Sequence, residues 1–182
     1  MANNNSPFGF IGSRIAEQEN EFGTYTITSG YGTSLFIGDP VIYTTGLNGL
    51  ANLVIATPGQ KITGFFQGVT YSDATGVVRR TNYWLAGTVA TNIQASVSDN
   101  PFTRYRVQLS GATYLDSYIG QSMDFVAGTG STVSGSAYEL DITTVGAGKG
   151  FLITNVYQAA NNADSANAIV EVVPMLHQYR NY

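Results

Sequence analysis

Twenty-one glycines divide this chain of 182 residues into short segments, most of them rich in Thr, Val, Ile, Tyr and Phe. These residue types fit the pleated, half-buried surface of a β-strand, and glycine marks the turns between strands. Segment 23–29 (GTYTITS), for example, alternates Tyr25 and Ile27 with threonines, which is the period-two pattern of a half-buried strand. Short strands at regular spacing without long helices predict an all-β fold, a sandwich or barrel of short antiparallel strands.

Two regions show the strand pattern most clearly. Segments 40–44 and 51–57 flank a stretch of turn-forming residues, 46–49, and are predicted to form a hairpin. Segment 61–71 is the longest strand candidate, and its glycines, Gly64 and Gly68, predict a bulge or a close approach of two backbones.

Further strands are predicted in the second half of the chain, over segments 77–85, 92–98, 103–109, 136–143, 150–157 and 167–177. In segment 103–109 the pattern places Arg104 and Arg106 on one face and apolar residues on the other. A helical pattern is weak and confined to segments 13–22 and 118–126.

The chain is predicted to consist of an N-terminal arm, residues 1–22, and a single β domain, residues 23–182. The arm begins with polar residues and then carries aromatic and aliphatic side chains, a composition typical of a segment that becomes ordered on a partner. A frayed terminus is the alternative. We expect removal of the arm to leave the β domain folded. The candidate partner contacts lie in the arm and in the polar, aromatic C-terminus: Phe8, Phe10, Ile11, Arg14, Tyr179 and Tyr182.

Only 11% of the residues are charged, whereas 12% are aromatic, with 12 Tyr and 9 Phe. About a quarter of the residues are charged in an ordinary soluble domain, and interface cores are depleted of charge and enriched in aromatics. The composition therefore favours a protein that lies against other proteins. A net charge of −4 argues against binding to nucleic acid, and no apolar run approaches the length of a membrane span.

The residues of common catalytic and metal sites are scarce. The chain has no cysteine and one histidine, His177, which excludes thiolate catalysis and favours a structural or interface histidine because no G-x-S-x-G motif accompanies it. Segment 146–150 (GAGKG) lacks the first glycine and the Ser or Thr of a phosphate-binding loop. We therefore expect no enzymatic activity and no cofactor.

Two binding hypotheses remain open alongside this expectation. Four acidic residues in the second half of the chain could form a calcium site: Asp116, Asp124, Glu139 and Asp141. Their spacing matches no EF-hand loop, so the favoured interpretation is that they lie on a solvent-exposed face and bind no ion. Tyr83 and Trp84 could form a platform for a sugar ring, although a single tryptophan in a β domain is more often part of the core.

A series of phrases along the chain resembles a family of small virion structural proteins of tailed bacteriophages, frequent in marine and aquatic phages. The phrases are NSPFGF (5–10), YTITSGYGTSLFIGDPV (25–41), ITGFFQGVTY (62–71), YWLAGT (83–88), DNPF (99–102), YRVQ (105–108), GTGST (128–132), YELD (138–141) and HQ (177–178). Segments 38–41 and 64–69 also look like parts of the small β domains of head decoration proteins. The resemblance extends over nearly the whole chain and is carried by the order and spacing of the phrases.

This resemblance implies a non-catalytic protein of the virion, most simply a decoration or cement protein that binds and stabilises the head shell. The implied partners are the major capsid protein and neighbouring copies of the chain, a trimer being one arrangement, with no nucleic acid and no membrane. The protein would be made in the host cytoplasm and located on the capsid surface. The alternatives are another virion component (a minor capsid, tail or fibre protein) and a carbohydrate-binding β-sandwich on the virion surface.

Overall fold

The protein is an all-β sandwich in the computed structural model, which describes residues 3–14, 22–47, 49–111, 113–159, 162 and 165–180. The strands of these residues are, in chain order, β1 (Ile11–Arg14), β2 (Gly23–Tyr25), β3 (Leu35–Phe36), β4 (Pro40–Leu47), β5 (Leu50–Ile55), β6 (Gly64–Asp73), β7 (Val78–Thr81), β8 (Tyr83–Trp84), β9 (Ala90–Ser98), β10 (Arg104–Gln108), β11 (Ser122–Met123), β12 (Phe125–Val126), β13 (Glu139–Leu140), β14 (Phe151–Val156) and β15 (Ile169–Pro174). None of the helices in this part of the chain could cross a membrane.

Two antiparallel sheets form most of the structure. The first has the strand order β1-β10-β15-β14-β11, and the second has the order β2-β9-β6-β4-β5 with β7 paired to β6. Two short pairs, β3 with β8 and β12 with β13, complete the architecture. The predicted hairpin is confirmed as β4 and β5, although β4 continues to Leu47, within the stretch predicted as the turn.

Alternation along β10 follows the sequence prediction. Tyr105 and Val107 are fully buried, whereas Arg104 is exposed and Arg106 is half-buried on the outer face. Successive side chains of a strand point to opposite faces, so the inward set packs into the core and the two arginines lie on the face turned away from it. The prediction for this strand is confirmed.

The glycines of β6 have the two roles that the sequence indicated. The register shifts between Phe66 and Gly68, and Gly68 has a φ of +148°, so a bulge is present at this point. A Cβ atom on Gly68 would lie 2.8 Å from the Thr81 carbonyl oxygen, and one on Gly64 would lie 2.1 Å from the Ser98 carbonyl oxygen. Both positions therefore require glycine, because neighbouring backbones pass too close for a side chain.

A cluster of aromatic rings forms the centre of the first core, between the two sheets. Phe10 stacks on Phe65 with ring centroids 4.5 Å apart and on Phe151 with centroids 4.7 Å apart. Tyr105 packs against Phe65 from β10. Since Phe65 belongs to the second sheet and the other strand residues to the first, these rings join the two layers.

A second core lies on the other face of the second sheet, where β6 presents Phe66 rather than Phe65. Leu35 and Trp84, from the short pair β3–β8, are fully buried in this core. The second sheet is thus covered on both faces, and this explains why adjacent residues of β6 are both fully buried.

The N-terminal segment differs from the projecting arm that the sequence suggested. Strand β1 pairs with β10, and the Phe10 amide donates to the Gly38 carbonyl at 3.0 Å. Because Phe10 is 0% exposed in the core, the expectation that it is an exposed anchor is wrong. Residues 15–21 lie outside the described residues, so the boundary at residue 22 stays a prediction.

The weak helical pattern of segment 118–126 does not correspond to an α-helix in the structure. One 3₁₀ turn covers Asp116–Tyr118, and the rest of the segment contains β11 and β12. Of segment 13–22, residues 13 and 14 belong to β1 and most of the others lie outside the described residues. A tertiary contact decides segment 118–126, because β11 pairs with β14 from a distant part of the chain.

Candidate interaction site

An apolar groove of about 230 Å³ lies beside β1, the last described strand on that side of the first sheet. We call it the edge groove. Its lining residues come from the N-terminal segment, from β10 and β15, and from the residue that follows β14: Phe8, Ile11, Arg106, Tyr157 and Ile169. Ile11 is 45% exposed, so the groove presents an aliphatic side chain to the exterior at a sheet edge.

Strand registers explain how this groove is assembled. Ile11 is opposite Arg106 across the β1–β10 pair, and Arg106 is opposite Glu171 across the β10–β15 pair. Directly opposed residues of an antiparallel pair point to the same face, so these side chains form one row on the outer face. The Ser13 hydroxyl donates a hydrogen bond to the Glu171 carboxylate in the same row.

Arg106 supplies the positive charge of the edge groove. Its guanidinium carbon lies 4.7 Å from the centre of the Tyr157 ring, a cation–π arrangement. The Nε atom of Arg106 is buried and has no hydrogen-bond partner. A donor of this kind needs an acceptor, so the groove is suited to an apolar side chain flanked by a carbonyl or carboxylate oxygen.

The residues predicted to contact a partner lie in different parts of the structure. Phe8 and Ile11 come together in the edge groove, whereas Phe10 is in the core. Arg14 is the last residue of β1. Tyr182 lies outside the described residues. The roles of Phe8, Ile11, Arg14 and Tyr182 in binding a partner stay predictions.

Tyr179 belongs to a separate cluster, formed where the C-terminal segment crosses the second sheet. Its ring stacks on Tyr43 with centroids 5.9 Å apart, and its hydroxyl bonds to the Tyr25 hydroxyl. Tyr25 in turn donates to the Asp99 carboxylate at 2.7 Å. Burial is the main cause that raises the pKa of Tyr25, with its hydrogen bonds to Tyr179 and Asp99 adding to it. Tyr25 is therefore neutral: its hydroxyl donates its one proton to Asp99 and accepts the hydrogen bond from Tyr179, which holds the C-terminal segment in place.

His177 is buried beside this cluster and is only 1% exposed. Its Nδ1 atom accepts a hydrogen bond from the Tyr179 amide at 3.1 Å. Burial lowers the pKa of His177 to about 4, and the charge of Arg180 lowers it further while Asp99 opposes the shift. The imidazole is thus neutral at pH 7, and its burial agrees with the structural role favoured by the sequence.

Two of the acidic residues considered for calcium binding, Asp124 and Asp141, have hydrogen-bond or ion-pair partners within the protein. The Asp141 carboxylate accepts from the Thr143 amide at 2.9 Å, and the Asp124 carboxylate accepts from the Gly150 amide at 2.8 Å. Lys149 Nζ is 3.5 Å from Asp124. In the part of the chain that the structure describes, no three potential metal-ligating side chains come together.

Trp84 is unavailable as a platform for sugar rings because it is 1% exposed. Its ring meets Tyr71 edge-on at 5.5 Å within the second core. Tyr83, by contrast, lines a surface groove of about 630 Å³ together with Arg80 and Asn82. The proposed pairing of Tyr83 with Trp84 as one binding surface is wrong, because neighbouring residues of β8 point to opposite faces.

Sequence reasoning missed Tyr157 and Ile169 as parts of the edge groove. Alternation in segment 103–109 gave a usable signal for Arg106, since it placed this residue on the outer face. Nothing local marks Tyr157 or Ile169, which reach the groove only through the β10–β15–β14 pairing.

Comparison with known proteins gave no match: no family model, no curated protein and no solved structure is significantly similar to this chain.

Proposed function

We propose that this chain is a structural component of a tailed-phage virion, most simply a decoration protein that binds the head shell through the edge groove. The observation that carries the proposal is an exposed apolar groove at a sheet edge, flanked by the partnerless Nε of Arg106. The resemblance of the sequence to small virion proteins supports the same assignment. The partner is the major capsid protein, with neighbouring copies of this chain as further contacts on the capsid surface.

Strand addition is the binding mode that this surface favours. An edge strand offers unpaired backbone amides and carbonyls, and an extended segment of a partner can pair with them while its side chains enter adjacent pockets. Next to β1, the pocket is apolar around Ile11 and ends at the Arg106 guanidinium. Repetition over a shell multiplies a moderate affinity, because copies linked through shared contacts bind with avidity.

Removal of residues 1–22 is not a clean test of this mode. The deletion would also remove Phe10 and β1, which belong to the core and to the first sheet. Ile11→Glu is sharper, because it places a charge in the groove at a residue that is 45% exposed. Val78→Glu is the matched control, since Val78 is a 68% exposed strand residue on β7 of the other sheet.

The experiment measures binding of purified protein to head shells assembled without it, by sedimentation followed by quantitative mass spectrometry. Wild-type protein should saturate the shells at a fixed ratio to the major capsid protein. We expect Ile11→Glu to weaken binding at least tenfold and Val78→Glu to change it less than twofold. Circular dichroism would establish that both variants are folded.

A cryo-electron reconstruction of the virion decides the location. Density on the outer shell, at a copy number comparable to that of the major capsid protein, supports the decoration role. Density confined to the tail or portal, at tens of copies or fewer, rejects it in favour of another virion component. Equal binding by wild type and Ile11→Glu would reject the edge groove as the contact.

A further inference from the structure

A third pocket, of about 360 Å³, lies on a different part of the surface, between the segment around β3 and the glycine-rich loop 128–130. We call it the Asp39 pocket. Asp39 contributes to its lining and is nonetheless only 3% exposed. A carboxyl group in this position is costly to bury unless its oxygen atoms have partners.

The two carboxyl oxygens of Asp39 differ in their surroundings. Oδ2 accepts a hydrogen bond from the Phe36 amide at 2.8 Å, which closes the turn between β3 and β4. Oδ1 is buried and has no hydrogen-bond partner. The Ser136 hydroxyl acts on this carboxyl as a hydrogen-bond donor that lowers its pKa, but no hydrogen bond of standard geometry reaches Oδ1. One oxygen of Asp39 therefore lacks a donor.

The pocket also lacks a positive charge. Its described lining consists of Asp39, the aromatic residues Phe36 and Tyr138, Ile55, and small or hydroxyl-bearing residues, with no lysine or arginine among them. A buried carboxylate without a counter-charge is strongly disfavoured. A ligand that brings both a hydrogen-bond donor and a positive charge would remove both deficits at once.

We propose that the Asp39 pocket binds a primary ammonium group, whose N–H donates to Asp39 Oδ1. Two aromatic residues of the lining, Phe36 and Tyr138, support this choice, because aromatic rings attract cations. A quaternary ammonium has no N–H to satisfy the oxygen. A divalent metal ion prefers several oxygen ligands with carboxylates among them, whereas Asp39 is the one carboxylate among the described lining residues. A sugar hydroxyl would supply a donor but no charge.

Affinity for the ammonium group should depend on pH. Burial raises the pKa of the Asp39 carboxyl to about 6, and the Ser136 hydroxyl and Phe36 amide moderate the rise. The nearby titratable groups are Tyr138, whose pKa is raised to about 12 by burial, by Asp39 and by Tyr31, and Tyr31 itself. Tyr138 therefore stays neutral between pH 5.0 and 7.5 while Asp39 ionises, so binding should strengthen about tenfold over that range.

The primary ammonium group has two sources, a free amine or the lysine side chain of a neighbouring protein. Isothermal titration calorimetry of the full chain at pH 7.5 uses cadaverine for the first source and Nα-acetyl-lysine methylamide for the second. We expect saturable binding of at least one of them, and the tighter probe identifies the source. Because this site lies apart from the edge groove, its test is independent of binding to shells.

Asp39→Asn tests the charge, since the asparagine oxygen can still accept from the Phe36 amide. We expect at least a tenfold loss of amine binding, whereas Asp116→Asn, which removes an exposed carboxylate elsewhere, should have no effect. Thr33→Trp, at an exposed lining position, fills the pocket without altering Asp39 and should also abolish binding. It serves as the test if Asp39→Asn does not fold.

The proposal is overturned if neither amine binds the wild-type chain. It is also overturned if binding persists unchanged in Asp39→Asn and Thr33→Trp, or if affinity does not fall between pH 7.5 and 5.0. Binding of glucose or galactose that depends on Asp39, with no binding of amines, would assign the pocket to a sugar instead.

Discussion

Replacing Phe10 by alanine tests whether the N-terminal segment is an integral part of the fold. The Phe10 side chain is fully buried and stacks on Phe65 and Phe151 at 4.5 and 4.7 Å. Phe→Ala in a packed core destabilises a protein by about 3–5 kcal/mol through lost apolar transfer and the cavity that remains. With stacking on two faces, we expect a loss of about 4 kcal/mol.

The expected loss is large enough to measure by two methods. In a domain of this size each kcal/mol lowers the midpoint of thermal unfolding by about 2–4 °C, so the midpoint should fall by roughly 10 °C. Guanidinium titration can be followed by the fluorescence of Trp84, the single tryptophan of the chain, which is buried in the second core.

Phe8→Ala is the matched control for Phe10→Ala, because Phe8 is half-buried in the edge groove two residues away. We expect this control to lose less than about 1.5 kcal/mol, since a partly exposed ring loses less on truncation. Phe10→Leu keeps most of the apolar volume and should fall between the two. A loss below about 1 kcal/mol for Phe10→Ala would refute the packing described here and restore the picture of a free arm.

Two further predictions concern the backbone and the response to pH. Gly68→Ala should destabilise the protein by about 1–3 kcal/mol in guanidinium titration, because its Cβ would lie 2.8 Å from the Thr81 carbonyl oxygen. The control is Gly32→Ala, which has open space around it and should change stability by less than about 0.5 kcal/mol. Equal effects of the two substitutions would contradict the bulge at Gly68. Since the folded pKa of His177 is about 4 and its ordinary value is 6.5, the unfolded chain takes up the proton first, and His177 should remove up to about 3 kcal/mol of stability as pH falls from 6.5 to 4. The stability difference between wild type and His177→Gln isolates this effect from the opposite one of Asp39, and a difference independent of pH would show that His177 is not buried in its neutral form.

The sequence predicted the strands best where a local pattern fixes them. In β10 the alternation of arginine with apolar residues matched the two faces of the strand. In β6 the position of Gly68 matched the bulge, because only glycine tolerates both the positive φ and the close backbone. The helical pattern of segment 118–126 was misleading, because β11 is stabilised by its pairing with β14, about 30 residues away in the sequence.

The candidate sites were less accessible to sequence reasoning. Phe8 and Ile11 were predicted as contacts and do line the edge groove, although their partner stays a prediction. Phe10 lies between them in the chain, has the same aromatic character as Phe8, and is buried. Composition indicates that aromatic residues can anchor a partner or fill a core, and it does not distinguish the two.

By itself, the sequence determined an all-β fold, the glycines that mark the turns between its strands, and the inner and outer faces of β10. These features follow from backbone conformation and from period-two alternation, which are local. The tertiary structure alone decided that β1 joins the first sheet, that Trp84 closes a second core, and that Asp39 faces a pocket with one oxygen lacking a partner. The physical reason is that strands pair across long stretches of chain, so what covers each face depends on residues far away in the sequence.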